Sequence, residues 1–269
     1  LWEGERPAND IFYVFSVQEE INGNGGLTAA YYLTQMGHQV TVYEQRPQLG
    51  GMLRYGIPDY RLPHDILERD IDHIMSSGIK AITNVSIGKD VSMEDIQKSF
   101  DAVYISIGAH NDKKLGIEGE DATNVVSAVG LLRRIGEGDI PDFTGKKVII
   151  VGGGNVAMDA ARTALRLGAE KVYIVYRRSM EELPARKEEV EHAEEEGIEF
   201  RLLCNPTEII GYNNPEDPRD PKNGFVTGMK CVKMELGEPD AKGRRRPVVI
   251  PDSEFEIEVD TVVISIGTS

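Results

Sequence analysis

The sequence predicts an α/β fold made of two units of similar plan, plus a short antiparallel β segment. Three observations predict it. The run KKVIIVGGGNVAMDAARTALRLG (146–168) reads as a buried strand, a glycine-rich turn and a helix with small side chains. A second glycine-rich turn, NGNGG (22–26), also opens a helical pattern. Finally, segments recur in matched pairs: TVYEQR (41–46) with YIVYRR (173–178), and DAVYISIGAH (101–110) with DTVVISIGTS (260–269). A repeat of this kind means one supersecondary plan used twice. Strands alternating with helices pack as parallel sheets covered by helices on both faces. The expectation is therefore two Rossmann-like, three-layer dinucleotide-binding domains.

Taken in order, IFYVFSV (11–17) has the composition of a buried strand, and QEEINGNGG (18–26) reads as loop. GLTAAYYLTQMG (26–37) is a helix stopped by Gly37. HQVTVYE (38–44) is a strand ending in an acid. Residues 46–63 form a long loop rich in glycine and proline, and structureless loops longer than about 12–15 residues are usually functional. HDILERDIDHIMSSG (64–78) spaces Ile66, Leu67, Ile71, Ile74 and Met75 at helical intervals, and DAVYISIGAH is a buried strand ending in glycine. VVSAVGLLRRIGEG (125–138) reads as a connecting helix, EKVYIVYRR (170–178) as a strand, and EELPARKEEVEHAEEEG (181–197) as a charged helix with a solvated face. Residues 206–258 lack helical periodicity and read as antiparallel strands with a hairpin near Gly243. The run Arg244–Arg246 is read as a solvated hairpin tip in preference to a phosphate or acidic-partner site. DTVVISIGTS closes the second unit.

Composition removes several function classes. The 269 residues suit one large or two medium domains. Thirty basic against 45 acidic residues give a net charge of −15, which repels nucleic acid and anionic lipid. An anionic cofactor therefore needs local positive charge. Two cysteines, Cys204 and Cys231, are too few for a zinc ribbon or an iron–sulfur cluster held by this chain alone, and they do not form an adjacent redox pair. They read as reduced thiols of a cytoplasmic protein. No apolar run approaches the roughly 20 residues of a membrane span. The N-terminus lacks a basic segment followed by an apolar run, so no secretory leader is expected.

The chemistry resides in the two turns. Gly152, Gly154 and Ala157 fit G-x-G-x-x-A directly after a strand. The first glycine permits the tight turn, the second lets backbone approach a pyrophosphate, and the alanine lets the helix lie close to the sheet. Ala160, Ala161 and Ala164 keep further helix positions small. The helix N-terminus offers free N–H groups and a positive dipole end to phosphates. Where an NAD site places an acid on the ribose 2′-hydroxyl, this chain carries Arg177 and Arg178. Guanidinium pairs with a 2′-phosphate, so NADP is expected over NAD. The first turn has Gly23 and Gly26 in the second and third glycine positions, but Ile21 in the first. Glu44 ends the following strand, placed to accept both ribose hydroxyls of FAD or NAD. Two such sites imply electrons passing between dinucleotides, most commonly nicotinamide to flavin. No Ser/His/Asp triad or acid/base pair is evident, and direct hydride transfer needs none. His64 and His73 read as surface residues.

GGMLRYGIPDYRLP, VIIVGGGNVAMDAARTALRLGAEKVYIVYRR, GRRRP and the two ISIG strands together resemble the small subunit of NADPH-dependent glutamate synthase. They also resemble its relatives, the electron-input part of dihydropyrimidine dehydrogenase and the FAD subunits of ferredoxin–NADP oxidoreductases. The resemblance runs from about Gly26 to Ser269. It implies that NADPH reduces FAD, which feeds iron–sulfur clusters of a partner domain or large subunit. By that resemblance FAD would be held by Gly23, Gly26, Glu44, Met52, Arg61, Ile87 and Gly108, with Met52 and Ile87 acting through backbone. NADPH would be held by Gly152, Gly154, Asn155, Val156, Arg177 and Arg178, and Gly267 would lie where the chain crosses back to the flavin. The implied organisation is an FAD-binding domain over 1–125, an NADP-binding domain over 126–262 inserted in it, and the start of the return over 263–269.

The chain departs from that family at both ends. The cysteine-rich segment that precedes the family's FAD strand is missing. So is the segment after the second ISIG strand, whose Gly-Asp pair contacts flavin. The expectation is a fragment whose FAD domain lacks its closing piece and holds FAD weakly. The alternative is a non-catalytic NADP(H)-binding remnant or interaction subunit. Residues 1–22 allow two readings: a strand slid back to IFYVFSV with QEEIN as an inserted loop, or a stretch foreign to the fold. The second is the one taken here.

Overall fold

The computed structural model describes residues 11–16, 23–108, 112–239, 243 and 245–268. The chain divides into two compact units, Leu1–Asn111 and Asp112–Ser269.

In the first unit the elements are β1 (Ile11–Ser16), α1 (Gly23–Gln35), β2 (Gln39–Glu44), α2 (Gly51–Tyr55), α3 (His64–Met75), β3 (Lys80–Ile82), α4 (Met93–Ser99) and β4 (Ala102–Ser106). The four strands form one parallel sheet in the order β3-β2-β1-β4. Leu27 and Ala30 of α1 bury against Val40 and Val42 of β2 and against Leu67 and Ile71 of α3. Of the two readings of residues 1–22, the structure places Ile11–Ser16 inside the sheet, in register with β2 on one side and β4 on the other. These residues are thus not foreign to the fold. Residues 17–22 lie outside those described.

Three local expectations need correction. α1 begins at Gly23, so Gly23–Gly26 is helical and not loop. Glycine costs about 1 kcal/mol in a helix, and the packing of Leu27 and Ala30 outweighs that. The 46–63 stretch contains α2, held by a buried arginine described below. β4 is not buried: Tyr104 is 45% and Ile105 57% exposed, and among the described residues β4 stands at the edge of its sheet; its composition says nothing about what covers it.

In the second unit β5 (Val125–Ser127), α5 (Ala128–Gly136), β6 (Lys147–Val151), α6 (Asn155–Arg166), β7 (Lys171–Tyr176), α7 (Lys187–Glu195), β8 (Glu199–Leu202) and β13 (Thr261–Ile264) build a parallel sheet of order β5-β13-β6-β7-β8 with its helices. Between β8 and β13 lie β9 (Cys204–Gly211), β10 (Val226–Pro239), β11 (Arg245–Val249) and β12 (Phe255–Glu258), all antiparallel. Strand period sorts the side chains. Val148 and Ile150 of β6, with Val172 and Ile174 of β7, pack with α5, α6 and α7. Ile149 and Val151, with Tyr173 and Val175, pack against Ile209, Met229 and Cys231 of the antiparallel segment. The three layers of this unit are therefore helices, parallel sheet and antiparallel β, with β and not helix on the second face.

The 125–138 stretch opens with strand β5 before its helix. The charged 181–197 stretch starts as a 3-10 turn, Met180–Glu182, and becomes helical only at Lys187. Its surface is not wholly solvated, since Glu189 is 8% exposed.

Candidate functional site

At the C-terminal end of β6 the glycine turn divides its labour. Gly152 has φ +144°, and a Cβ there would stand 2.0 Å from the Ser265 carbonyl oxygen. Glycine is thus required for β6 and the chain after β13 to converge, where Ser265 N–H donates to Val151 O at 2.8 Å. A Cβ on Gly153 would meet Leu183 Cδ2 at 2.6 Å. Gly154 differs: its backbone is extended, with φ −89° and ψ 177°, and nothing lies within 4 Å of a Cβ built on it. Its missing side chain opens space in front of α6. No side chain caps α6, and the first N–H groups of a helix have no intrahelical acceptor. Ala157 is fully buried, allowing helix and sheet to close.

That open space belongs to a cavity of about 640 Å³ lined by Gly152–Gly154, Tyr176, Arg177, Pro184 and Ser265–Gly267. The structure thus brings together Gly152, Gly154, Arg177 and Gly267 from three places in the sequence. Three other candidates do not line it. Asn155 is the first residue of α6, and its Oδ1 accepts from Arg186 N–H at 2.9 Å. Val156 packs against the helical core. Arg178 is half-buried, its Nε has no hydrogen-bond partner among the described residues, and its carbonyl accepts from Leu203 N–H. Sequence reasoning missed the far wall, formed by Leu115 and Ile117 on one side and Cys204, Asn205 and Pro206 on another. Glu120 shapes the first by accepting from Leu115 N–H at 2.7 Å and Gly116 N–H at 2.8 Å. Leu203, at φ +52°, turns the chain into the second. Both cysteines are free and buried. Burial pushes the Cys204 thiol up and takes Cys231 to about 12.

In the first unit Glu44 is the last residue of β2, opposite Ser16 of β1, and is 1% exposed. Its Oε1 accepts from Arg46 N–H at 2.8 Å. Gly23 opens α1 and Gly26 is buried in its first turn. Met52 lies half-buried in α2, Arg61 is exposed, and Gly108 has φ +65°. Ile87 bridges to Val91 and packs near Ile96 and Tyr43. The buried arginine of the long loop is Arg54. Arg54 is 5% exposed, donates from Nε to Leu49 O at 2.7 Å and pairs with Glu68 of α3. Beside it Tyr55 Oη donates to Gln48 O, and burial pushes its phenol up. His73 is exposed and His64 half-exposed. Among the described residues no three metal-ligating side chains come together, and no helix is long and apolar enough to cross a membrane.

The model of the family described as "Pyridine nucleotide-disulphide oxidoreductase" matches residues 22–269. The chain is 45% identical over 247 residues to the NADP(+)-dependent formate dehydrogenase subunit beta of Moorella thermoacetica, covering 91% of this chain and 34% of that protein. It is 36% identical over 257 residues to the glutamate synthase [NADPH] small chain of Escherichia coli, covering 91% of this chain and 52% of that one. The chain thus spans about a third to a half of the curated relatives it matches. Among solved structures, Mycobacterium tuberculosis FprA in complex with NADPH superposes with a TM-score of 0.79 at 19% identity, over 97% of this chain and 71% of that chain, which shows the shared fold.

Proposed function

Because the chain belongs to the pyridine nucleotide-disulphide oxidoreductase family, we propose that it is an electron-transfer module in which NADPH held by the second unit reduces FAD held by the first. From FAD, electrons would pass to iron–sulfur clusters of a partner domain or large subunit. One observation carries the assignment of cofactors: the two repeated strand–turn–helix units place opposite charge where their second strands end, buried Glu44 as the last residue of β2 and cavity-lining Arg177 directly after β7.

The residues fit both groups. In the second unit the void beside Gly154 and the free N–H groups of α6 suit a pyrophosphate, and Arg177 suits a 2′-phosphate. Gly152 keeps the turn tight enough for that approach. In the first unit a buried carboxylate at a strand end suits a ribose diol, with Gly23 and Gly26 at the helix that follows β1. Met52, Arg61, Ile87, Gly108 and Gly267 are assigned to the flavin, and Asn155, Val156 and Arg178 to the NADP turn, by family resemblance. When both are bound, NADPH supplies a hydride and FAD takes it up with a proton. The chain's own residues bind and orient; no side chain is assigned a proton-transfer role. The NADP domain, 126–262, would interrupt the FAD domain, 1–125, with the return beginning at 263.

The relatives are named as a beta subunit and a small chain, which supports a partner subunit as part of the proposal. Buried free thiols support a reducing, cytoplasmic setting. The net charge of −15 disfavours nucleic acid and anionic membranes as partners.

The test is the colour of the purified chain. A bound flavin band bleached by NADPH and not by NADH supports the proposal. A colourless protein that still binds NADPH supports a non-catalytic NADP(H)-binding role instead, and one that binds neither sinks both.

A further inference from the structure

We propose that Asn155 is a positioning residue whose carboxamide holds the segment Ser179–Arg186 in place as a wall of the nucleotide cavity. The inference rests on that cavity being the NADP(H) site. The segment leaves β7 directly after Arg177 and Arg178 and returns to the glycine turn before α7 begins. It is fastened at both ends. Near its start, Ser179 and Glu182 form a reciprocal capping box, and Tyr176 Oη donates to the Glu182 carbonyl at 2.9 Å. Near its end, Ala185 N–H donates to Gly153 O at 3.1 Å, and Arg186 N–H donates to Asn155 Oδ1 at 2.9 Å. Between them Leu183 occupies the place a Cβ on Gly153 would need, and Pro184 faces the cavity.

Asparagine at a helix start ordinarily caps its own helix when it stands at the N-cap. Here Asn155 stands one residue later and Gly154 takes the cap position. Its side-chain oxygen is therefore engaged in a contact across the chain, 31 residues away in sequence, with the strap. Gly153 contributes a carbonyl from the same turn. The turn that would meet the pyrophosphate thus also fixes the wall beside it. A wall ordered before the ligand arrives spares binding the entropy of ordering it.

The experiment uses limited trypsin digestion of the full chain without nucleotide, followed by mass spectrometry of cleavage after Arg186 and Lys187, together with NADPH titration. Asn155→Ala is expected to speed cleavage there and to weaken NADPH binding by about five-fold, the scale of one hydrogen bond. Asn155→Asp keeps an acceptor oxygen, so cleavage stays at the wild-type rate while its charge beside the phosphates weakens NADPH binding. Tyr176→Phe releases the other end of the strap and leaves the first turn of α6 intact, and it too should speed cleavage. Unchanged cleavage in Asn155→Ala overturns the proposal. Weakened binding alongside it would mean that the carboxamide meets the nucleotide directly. Faster cleavage in variants of a chain that never binds NADPH keeps the fastening and sinks the nucleotide assignment alone.

Discussion

Arg162 of α6 and Glu189 of α7 form an ion pair at 3.3 Å with side chains only 10% and 11% exposed. Glu196, just past α7, joins the same guanidinium at 2.9 Å and also pairs with Arg166 at 2.8 Å. The helix that starts at the glycine turn is thereby tied to the helix that ends the strap. Removing one partner of a buried pair typically costs about 3–5 kcal/mol. Glu196 remains on Arg162, so Glu189→Ala should lose less, about 2–3 kcal/mol. Denaturant unfolding measures this. A loss below about 0.5 kcal/mol, the scale of a surface substitution, would show that the pair is dispensable.

The same cluster gives a pH signature. The Arg166 guanidinium, aided by Arg162, holds the Glu196 carboxyl below its ordinary 4.5, against the opposing effect of burial. A carboxylate whose folded pKa is depressed adds stability that is fully present above its unfolded value. That stability is lost as pH falls through the folded value. Stability should thus be insensitive to this group at neutral pH and decline below about pH 4.5. Thermal melts of Glu196→Gln against wild type should differ at pH 7 and converge in acid; a gap that widens on acidification contradicts the assignment.

Two glycines of one turn should fail differently. Gly152→Ala puts a side chain at φ +144° and drives Cβ into the Ser265 carbonyl. Backbone strain and steric overlap together should cost about 3 kcal/mol or more. Gly154→Ala meets open space in an extended conformation, so stability should stay within about 0.5 kcal/mol. The added methyl would nevertheless occupy the pyrophosphate approach and weaken NADPH binding at least about ten-fold. Melting temperature and NADPH affinity, measured together, separate the roles. A stable Gly154→Ala that binds NADPH normally removes the pyrophosphate from this turn.

What could be read in the sequence follows from the range of each interaction. The KVIIV–GGG–NVA run was legible because strand, turn and helix are contiguous, although the close approach that Gly152 accommodates comes from Ser265, far along the chain. That Val148 and Ile150 would meet helices while Ile149 and Val151 meet strands was not legible, since an all-apolar strand carries no mark of its two faces. VYISI read as buried because apolar composition signals a strand and not its neighbours; among the described residues β4 has a strand partner on one edge only. Arg54 and Arg61 are the same residue type in one loop. That Arg54 is the buried one is decided by the Leu49 carbonyl and by Glu68 on a later helix, which no local pattern shows. Leu115 and the Cys204–Pro206 ledge reach the cavity across long chain separations that no local pattern encodes. Asn155 is assigned to the nucleotide by its place in the family motif, and only the Arg186 hydrogen bond reveals its engagement across the chain.

Cys231 should be silent in the folded chain. Cys231 is fully buried, and burial, reinforced by Cys204, lifts its thiol to about 12 from 9.0. Thiolate is the reactive form, so a thiol reagent at pH 8 should leave Cys231 unmodified until the chain unfolds. The folded value lies above the unfolded one, so the stabilisation is complete below pH 9 and is lost as pH rises toward 12. Cys231→Ala should flatten that alkaline decline. Rapid native labelling of Cys231, located by peptide mapping, would contradict the burial described.

The sharpest test of cofactor choice is Arg177→Glu. Arg177 lines the cavity at the strand end where an acid would select a free ribose hydroxyl. A guanidinium there gains a charge-assisted contact from a 2′-phosphate and gains nothing from a 2′-hydroxyl of equal strength. Loss of that contact is worth about 1.5–3 kcal/mol, roughly 10- to 150-fold in affinity. The glutamate adds repulsion for NADPH and an acceptor for the NADH ribose, so the two affinities should move in opposite directions. Their ratio should also lose much of its salt dependence, because the phosphate contribution is screened and the hydroxyl contribution is not. Calorimetric titration with both nucleotides at two ionic strengths reads all of this. Parallel losses for NADPH and NADH would mean that Arg177 supports the cavity without reading the 2′ position, and the preference would then have to come from Arg178.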